Sequence, residues 1–351
     1  MATLFGRKSK KPTEKSLKII YMNEMNEVSV LMPAFNAAKY ISYSIDSVLN
    51  QTFQNFELLV YNDGSSDATL SILENYAKSD SRIRIIDSKI NQGLTAGRNI
   101  LYNAAKNNLI VWLDSDDIAY PNRIEKQILF LKNYPEFAGV SCWARVIDRE
   151  NSPSGQFFKN YINNEHLKAV SLFVNYFVVS GMTMYKTVIP EPGFNPVFSP
   201  AEDYDMFVRI MQKNKLGILH EVLIDYRVHS NNLTATQSDK MQNAVLGIQK
   251  YQLERLGLNI THEQAKLHYD ISFNSRISLK VAEEWLNEIK IANKDYKEYN
   301  QQSLEFILSH RWVKVFEQND HFSDILKCVT SDIFKFNAHT LFLILKKLIK
   351  L

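Results

Sequence analysis

Apolar residues in the first third of the chain fall into short continuous runs, separated by stretches with helical spacing. Val28-Ser29-Val30-Leu31-Met32 is the first run, and Pro33-Ala34-Phe35-Asn36 closes it. Ile41, Ile45, Val48 and Leu49 then recur at the interval of one helix face. Leu58-Leu59-Val60-Tyr61 repeats the pattern, closed by Asn62-Asp63-Gly64-Ser65-Ser66-Asp67. The small and capping residues of that loop suit a strand-to-helix turn. Leu70, Leu73 and Ala77 carry the next helix. Ile83-Arg84-Ile85-Ile86 predicts a third, more exposed strand. Asn91-Gln92-Gly93-Leu94-Thr95 opens a helix with Ile100, Leu101 and Ala104 facing inward. Leu109-Ile110-Val111-Trp112-Leu113 is apolar throughout, as in a parallel strand buried on both faces. It ends in Asp114-Ser115-Asp116-Asp117, and Pro121 with Ile124, Ile128 and Leu131 starts another helix. Strands alternating with helices predict an α/β fold: a mostly parallel central sheet, right-handed crossovers and flanking helices.

After the acidic turn the pattern changes. Residues 138–146 and 178–184 read as strands, with Gly181 at a close approach or a bulge. Residues 148–165 are polar and read as a long functional loop. Ser199-Pro200-Ala201-Glu202-Asp203 opens a helix carrying Met206, Phe207, Ile210 and Met211. Ser199 with Glu202 has the spacing of a capping box, and Pro200 suits a first helical position. A cap accounts for Glu202 but not for Asp203, which could project into a cleft from the helix start. Arg227 and His229 stand two apart in an extended segment, so their side chains point the same way. From residue 239 the spacing is helical, with apolar residues recurring at Tyr251, Leu253, Leu256, Leu279, Val281, Trp285, Ile289, Phe306, Ile307 and Trp312.

At 351 residues the chain can bury a large core and is expected to form two units. Its 45% apolar and 23% charged content is that of a soluble globular protein, and a net charge of +3 gives no argument for nucleic acid as a partner. Cys142 and Cys328 are far apart and form no disulfide framework, so a cytoplasmic location is expected. The amino terminus lacks the apolar stretch of a secretory signal, and no apolar run is long enough to span a membrane. Residues 1–26 are basic and read as a flexible arm. Residues 341–351 are short, apolar and basic; they could lie in a membrane interface or dock on the core. Together the two ends suit peripheral attraction to anionic lipid on the cytoplasmic face of an inner membrane.

The candidate chemistry lies at the strand ends, where ligands of open α/β sheets sit. Loops there hold Asn36, Asp63 and the Asp114 cluster. A nucleotide would find backbone donors at helix N-termini and carboxylates for its base, ribose and metal. Three carboxylates in four residues need solvation or neutralisation. Asp114 and Asp116 offer hard oxygens suited to Mg²⁺ or Mn²⁺, with a phosphate completing the shell. A solvated turn with Asp as helix cap is the alternative.

Taken together, over roughly residues 27–235, these motifs resemble glycosyltransferase family 2 with the GT-A fold. The resemblance implies a catalytic domain at 27–238, between the basic arm at 1–26 and the helical region at 239–351 that charge and spacing mark out. Pro33, Phe35 and Asn36 would belong to the nucleotide-contacting loop, and Asp63 would contact the uracil of a UDP-sugar. Asn91, Gly93 and Arg98 match the Asn-x-Gly…Ala-Arg-Asn segment, with Gly97 at the alanine position. Asp114-Ser115-Asp116 resembles the DxD motif, which implies Asp114 near the ribose and sugar and Asp116 on the divalent metal. Glu202-Asp203 resembles the ED motif, making Asp203 the implied general base. The segment holding Arg227 and His229 resembles one near the nucleotide diphosphate. The implied activity is inverting, metal-dependent transfer of GlcNAc, Gal, Glc or GalNAc from a UDP-sugar to a glycan or glycolipid acceptor of the cell surface: lipooligosaccharide, capsule or exopolysaccharide. The layout is most similar to bacterial enzymes such as β-1,3-N-acetylglucosaminyltransferases. Processive synthases carry Gln-x-x-Arg-Trp; here Leu308 stands at the Gln position before Arg311-Trp312. Two alternatives are a catalytically silent UDP-sugar-binding partner and a nucleotidyltransferase, although the chain lacks an evident Gly/Arg/Lys-rich triphosphate loop.

Overall fold

The computed structural model describes residues 27–229, 238–273, 275–319 and 324–336, with 340, 341, 344 and 345. The basic arm, and residues 342, 343 and 346–351 of the terminal stretch, lie outside the described residues.

Three strands and three helices open the chain in strict alternation. They are β1 (Val28–Ala34), α1 (Ile41–Leu49), β2 (Phe56–Asp63), α2 (Thr69–Ser79), β3 (Ile83–Ser88) and α3 (Leu94–Ala104). β4 (Leu109–Trp112) follows, then the acidic turn, a two-residue β5 (Ile118–Ala119) and α4 (Arg123–Asn133). β6 (Phe137–Ile147), β7 (Pro153–Phe158), a short α5 (Leu167–Val170) and β8 (Thr183–Tyr185) come next. α6 (Glu202–Met211) and β9 (Lys215–Arg227) complete the sheet-bearing part. The sheet order is β3-β2-β1-β4-β8-β6-β9-β5, with β7 paired to β6. β3, β2, β1 and β4 run parallel, while β8 is antiparallel to both β4 and β6.

β1, β2 and β4 are buried on both faces, as their largely apolar sequences require, while β3 at the sheet edge is only partly buried. Val28, Val30 and Met32 face a core shared with Ile41, Ile45 and Ile124. Leu31, Leu59 and Trp112 face the other core. The C-terminal helices cover that second face: α7 (Ser238–Glu254), α8 (His262–Ser272), α9 (Leu279–Tyr296), α10 (Gln301–Glu317) and α11 (Asp324–Thr330). Their Leu253, Trp285, Ile289, Ile307 and Trp312 share one core with Leu31 and Trp112. Burying each large apolar side chain contributes about 1.5–3 kcal/mol, so the helical region is held to the sheet by many such terms. Arg311 and Trp312 are buried here, donating to the carbonyls of Ser272 and Cys328, which is a structural role.

Four expectations are corrected. Residues 148–165 are not all loop: β7 lies within them, an exposed edge strand that pairs through its backbone. Its polar, glycine-containing sequence carries no strand periodicity. Residues 178–184 are not one strand. Val179–Gly181 is a 3₁₀ turn, and only Thr183–Tyr185 pairs. The turn is held because Gln127 donates to the Gly181 carbonyl at 2.7 Å and the Asp114 N–H donates to Ser180 Oγ at 2.8 Å. Gly181 does mark a close approach, since a Cβ there would stand 3.0 Å from Cys142 Sγ. The Ser199–Glu202 capping box does not form: α6 starts at Glu202 with no side-chain cap, and Pro200 precedes it. The Glu202 carboxylate is committed to Arg98 instead. Finally, the extended segment does not hold both Arg227 and His229: β9 runs Lys215–Arg227 and leaves His229 beyond its end.

Candidate active site

The carboxyl ends of β1, β2 and β4 open on one cleft of about 1190 Å³. Every predicted site residue except Arg227 lines it. Asn36 adopts a left-handed φ of 48°, and its side-chain oxygen accepts from the Ser66 N–H at 2.9 Å. That bond, with the Asn36 N–H on Ser65 Oγ, joins the β1 loop to the β2 loop. Pro33 and Phe35 form the neighbouring wall, and Phe35 is half exposed. Asp63 accepts from the backbone N–H groups of Gln92 and Gly93 at 2.7 and 2.8 Å. It therefore holds the loop in which Gly93 takes a φ of 90°, which favours glycine. Asn91 binds back to the Asp63 carbonyl.

The acidic turn is neutralised from inside. Arg98, 4% exposed on α3, donates to Asp114 at 3.2 Å and to Glu202 at 3.0 Å. One buried guanidinium thus joins β4, α3 and the start of α6. Burial raises the Asp114 carboxyl above its ordinary range, and Arg98 opposes that rise. Asp117 is pushed well above the ordinary range by burial, then by the charges of Asp116 and Asp114. Its Oδ1 accepts from the Arg227 N–H at 2.8 Å. Ser115 lines the cleft between them.

Arg227 and His229 leave β9 with different roles. Arg227 is fully buried; it donates to the carbonyls of Asp116 and Asp148 and lies over the Tyr40 ring. It fastens the back of the acidic turn and does not line the cleft. His229 does, with Nε2 3.0 Å from Asp116 Oδ2 and its ring stacked on Tyr40.

Asp203, the second residue of α6, also lines the cleft. Its Oδ1 accepts from the Tyr204 N–H at 2.7 Å, and Asn175 Nδ2 lies 3.4 Å from Oδ2. Burial, then the adjacent Glu202 charge, pushes its carboxyl up to about 6, while Arg98 holds it from rising further.

A family model described as Glycosyl transferase family 2 matches residues 29–189, from β1 to just beyond β8. A Haemophilus influenzae protein described as an uncharacterized glycosyltransferase is 31% identical over 261 residues, covering 72% of this chain and 79% of that protein. This chain belongs to glycosyl transferase family 2. The Escherichia coli O-antigen biosynthesis glycosyltransferase WbnJ is 32% identical over 225 residues, 62% of this chain and 84% of that protein. Staphylococcus aureus TarS 1–349 in complex with UDP-GlcNAc matches the fold with a TM-score of 0.53 at 16% identity, covering 83% of this chain and 89% of that chain. The mixed sheet with flanking helices is a GT-A fold, and the family 2 chain is a glycosyltransferase. Family membership displaces the nucleotidyltransferase alternative.

Several residues of this family 2 cleft carry no signal in the sequence. Tyr61, Tyr40 and Asn175 come from ordinary-looking positions. The nearest to a readable signal is Gly97, which replaces alanine in the family 2 segment: a Cβ there would stand 2.8 Å from Tyr61 Cδ1. The glycine admits the large ring, whose hydroxyl accepts from Gln92 Nε2 at 2.9 Å beside Asp63.

Proposed function

We propose that this family 2 enzyme transfers GlcNAc, Gal, Glc or GalNAc, with inversion, from a UDP-sugar to a hydroxyl of a cell-surface glycan or glycolipid, with Mn²⁺ or Mg²⁺ as cofactor. The observation that carries the reading is Asp203, a cleft-lining carboxyl raised to about 6, in one cleft with the Asp116–His229 pair. Such a group is ionised at neutral pH yet more basic than an ordinary aspartate, which suits a general base. It would accept the proton of the acceptor hydroxyl as that oxygen attacks the anomeric carbon from the face opposite the diphosphate. Proton transfer of this kind contributes about 10²–10⁴-fold to rate.

The donor set at Asp116 and His229 fits a divalent ion. Its oxygen and nitrogen lie 3.0 Å apart, the separation of neighbouring corners of an octahedron with bonds of about 2.1 Å. No group of three metal-ligating side chains occurs among the described residues. Two protein ligands leave room for diphosphate oxygens and water, as such ions favour. A bound ion would offset the charge of the departing diphosphate. Asp114, held by Arg98, is left to orient the ribose and sugar; Asp63, Asn36 and the Gly93 loop frame the base. Peripheral contact with an inner membrane would involve residues 1–26 and 341–351. Among the described residues no helix is long and apolar enough to cross a membrane.

The test is UDP release from a panel of UDP-sugars with Mn²⁺, with and without crude lipooligosaccharide or capsular acceptor. Acceptor-stimulated release from one donor is expected. Asp203→Asn is expected to lower kcat at least about a hundredfold while UDP binding is retained. Equal losses of UDP binding and turnover would argue against Asp203 as base, and no release from any donor despite UDP binding would overturn the reading.

A further inference from the structure

The hairpin of β6 and β7 continues the wall of the catalytic cleft. All six residues of β7 are exposed, and among the described residues β7 pairs only with β6. Phe157 and Phe158 are 46% and 48% exposed, and both line the cleft. Aromatic side chains on an edge strand invite unwanted pairing unless a ligand uses them. Phe158 packs edge-on against Tyr226, with centroids 5.2 Å apart. The Lys159 ammonium stands 3.9 Å from the Phe157 ring centroid and 5.4 Å from that of Trp143. No salt bridge from Lys159 to a carboxylate occurs among the described residues.

The charge along this wall has one sign. Between residues 149 and 179 the cleft is lined by Arg149 and Lys159 but by no carboxylate. The acidic groups of the cleft come from the strand ends and the start of α6 instead. The wall also reaches the base, because Asn175 within it approaches Asp203 at 3.4 Å.

We propose that the β6–β7 hairpin binds the acceptor, and that the acceptor is an anionic glycan bearing carboxylate or phosphate groups along its chain. Sugar rings present apolar C–H faces that pack on exposed aromatic rings such as Phe157. Lys159, propped on those rings, meets an acidic substituent without first losing a protein partner, and Arg149 adds a second positive charge. An anion on the acceptor would be drawn to this wall and repelled by the carboxylates beside the donor, which sets its direction in the cleft. The proposal rests on Asp203 being the base that faces the acceptor.

Binding to the full-length protein in the presence of UDP separates the possibilities. The probes are a uronate-containing tetrasaccharide, a glycerol phosphate oligomer, a neutral tetrasaccharide and phosphatidylglycerol vesicles. At least one anionic oligomer is expected to bind more tightly than the neutral one, and which one names the source of the charge. Lys159→Gln is expected to weaken that binding about three- to fivefold, and Phe157→Ala about fivefold, with UDP affinity unchanged in both. Equal binding of neutral and anionic oligomers, no binding of either, or indifference to Lys159→Gln overturns the proposal. Vesicle binding that depends on Phe157, without oligomer binding, reassigns the hairpin to a membrane surface. Failure of UDP to bind would count against the donor reading alone, because oligomer binding is measured separately.

Discussion

Replacing Arg98 by Met removes the cation between buried Glu202 and partly buried Asp114, and Glu202→Gln removes the buried carboxylate; the two changes should move the Asp203 base in opposite directions. Arg98 is 4% exposed, reaches Glu202 at 3.0 Å and Asp114 at 3.2 Å, and lies over the Phe194 ring. Its loss leaves Glu202, 1% exposed, without its counter-charge. Breaking a buried pair in this way costs about 3–5 kcal/mol, or roughly 4–7 °C in Tm for a chain of this length. The catalytic signature is sharper. Asp203 sits at about 6 because burial and then Glu202 raise it while Arg98 lowers it. Arg98→Met should therefore push the acid limb of kcat/KM to higher pH, and Glu202→Gln should draw it to lower pH. One unit below its pKa the base is only about a tenth ionised, so the displacement is read directly from initial rates. The assay is acceptor-stimulated UDP release from about pH 4.5 to 8.5, where kcat/KM reports the free enzyme. Displacement of both limbs in the same direction, or of neither, would refute the electrostatic assignment. Should Arg98→Met fail to fold, the downward shift in Glu202→Gln still decides it. Stability carries the same signature. A carboxyl raised from 3.8 to about 6 favours the folded state at low pH. That contribution is lost as pH rises through the folded value. Asp203→Asn should then stabilise the protein by about 1–2 kcal/mol at pH 8, after discounting for partial exposure, and hardly at all near pH 4. Thermal unfolding at the two pH values checks the difference.

Two further outcomes follow from other contacts. Asp116→Ala and His229→Ala should each weaken Mn²⁺-dependent UDP binding at least about tenfold and leave metal-free binding intact; an undiminished response to Mn²⁺ would remove the pair as ligands. Gly97→Ala should cost about 1–3 kcal/mol in urea unfolding, since its Cβ would lie 2.8 Å from Tyr61 Cδ1. Adding Tyr61→Leu should recover part of that loss, and no recovery would show that the ring is not the obstacle.

The alternation of apolar runs with helical spacing was legible in the sequence because it is local. A strand buried on both faces must be largely apolar, and β1, β4 and the middle of β2 are. The end of each such strand is then where a polar loop leaves the core, which puts Asn36, Asp63 and Asp114 along one edge before any tertiary contact is known. The sequence also singled out Asp203, since a capping account of the helix start left it over. The roles of neighbours at those positions were decided by partners far along the chain. Glu202 reads locally as a cap, yet it meets Arg98 across 104 residues. Arg227 and His229 read as a pair, yet one is buried under the acidic turn and the other faces the cleft at Asp116, 113 residues away. The β7 edge strand and the turn at Ser180 likewise follow from backbone pairing and from single hydrogen bonds, neither of which leaves a periodic trace. Periodicity records which face of an element is buried. Which charge neutralises which is settled only when the elements meet, because an unpaired charge in the core costs more than any local preference can return.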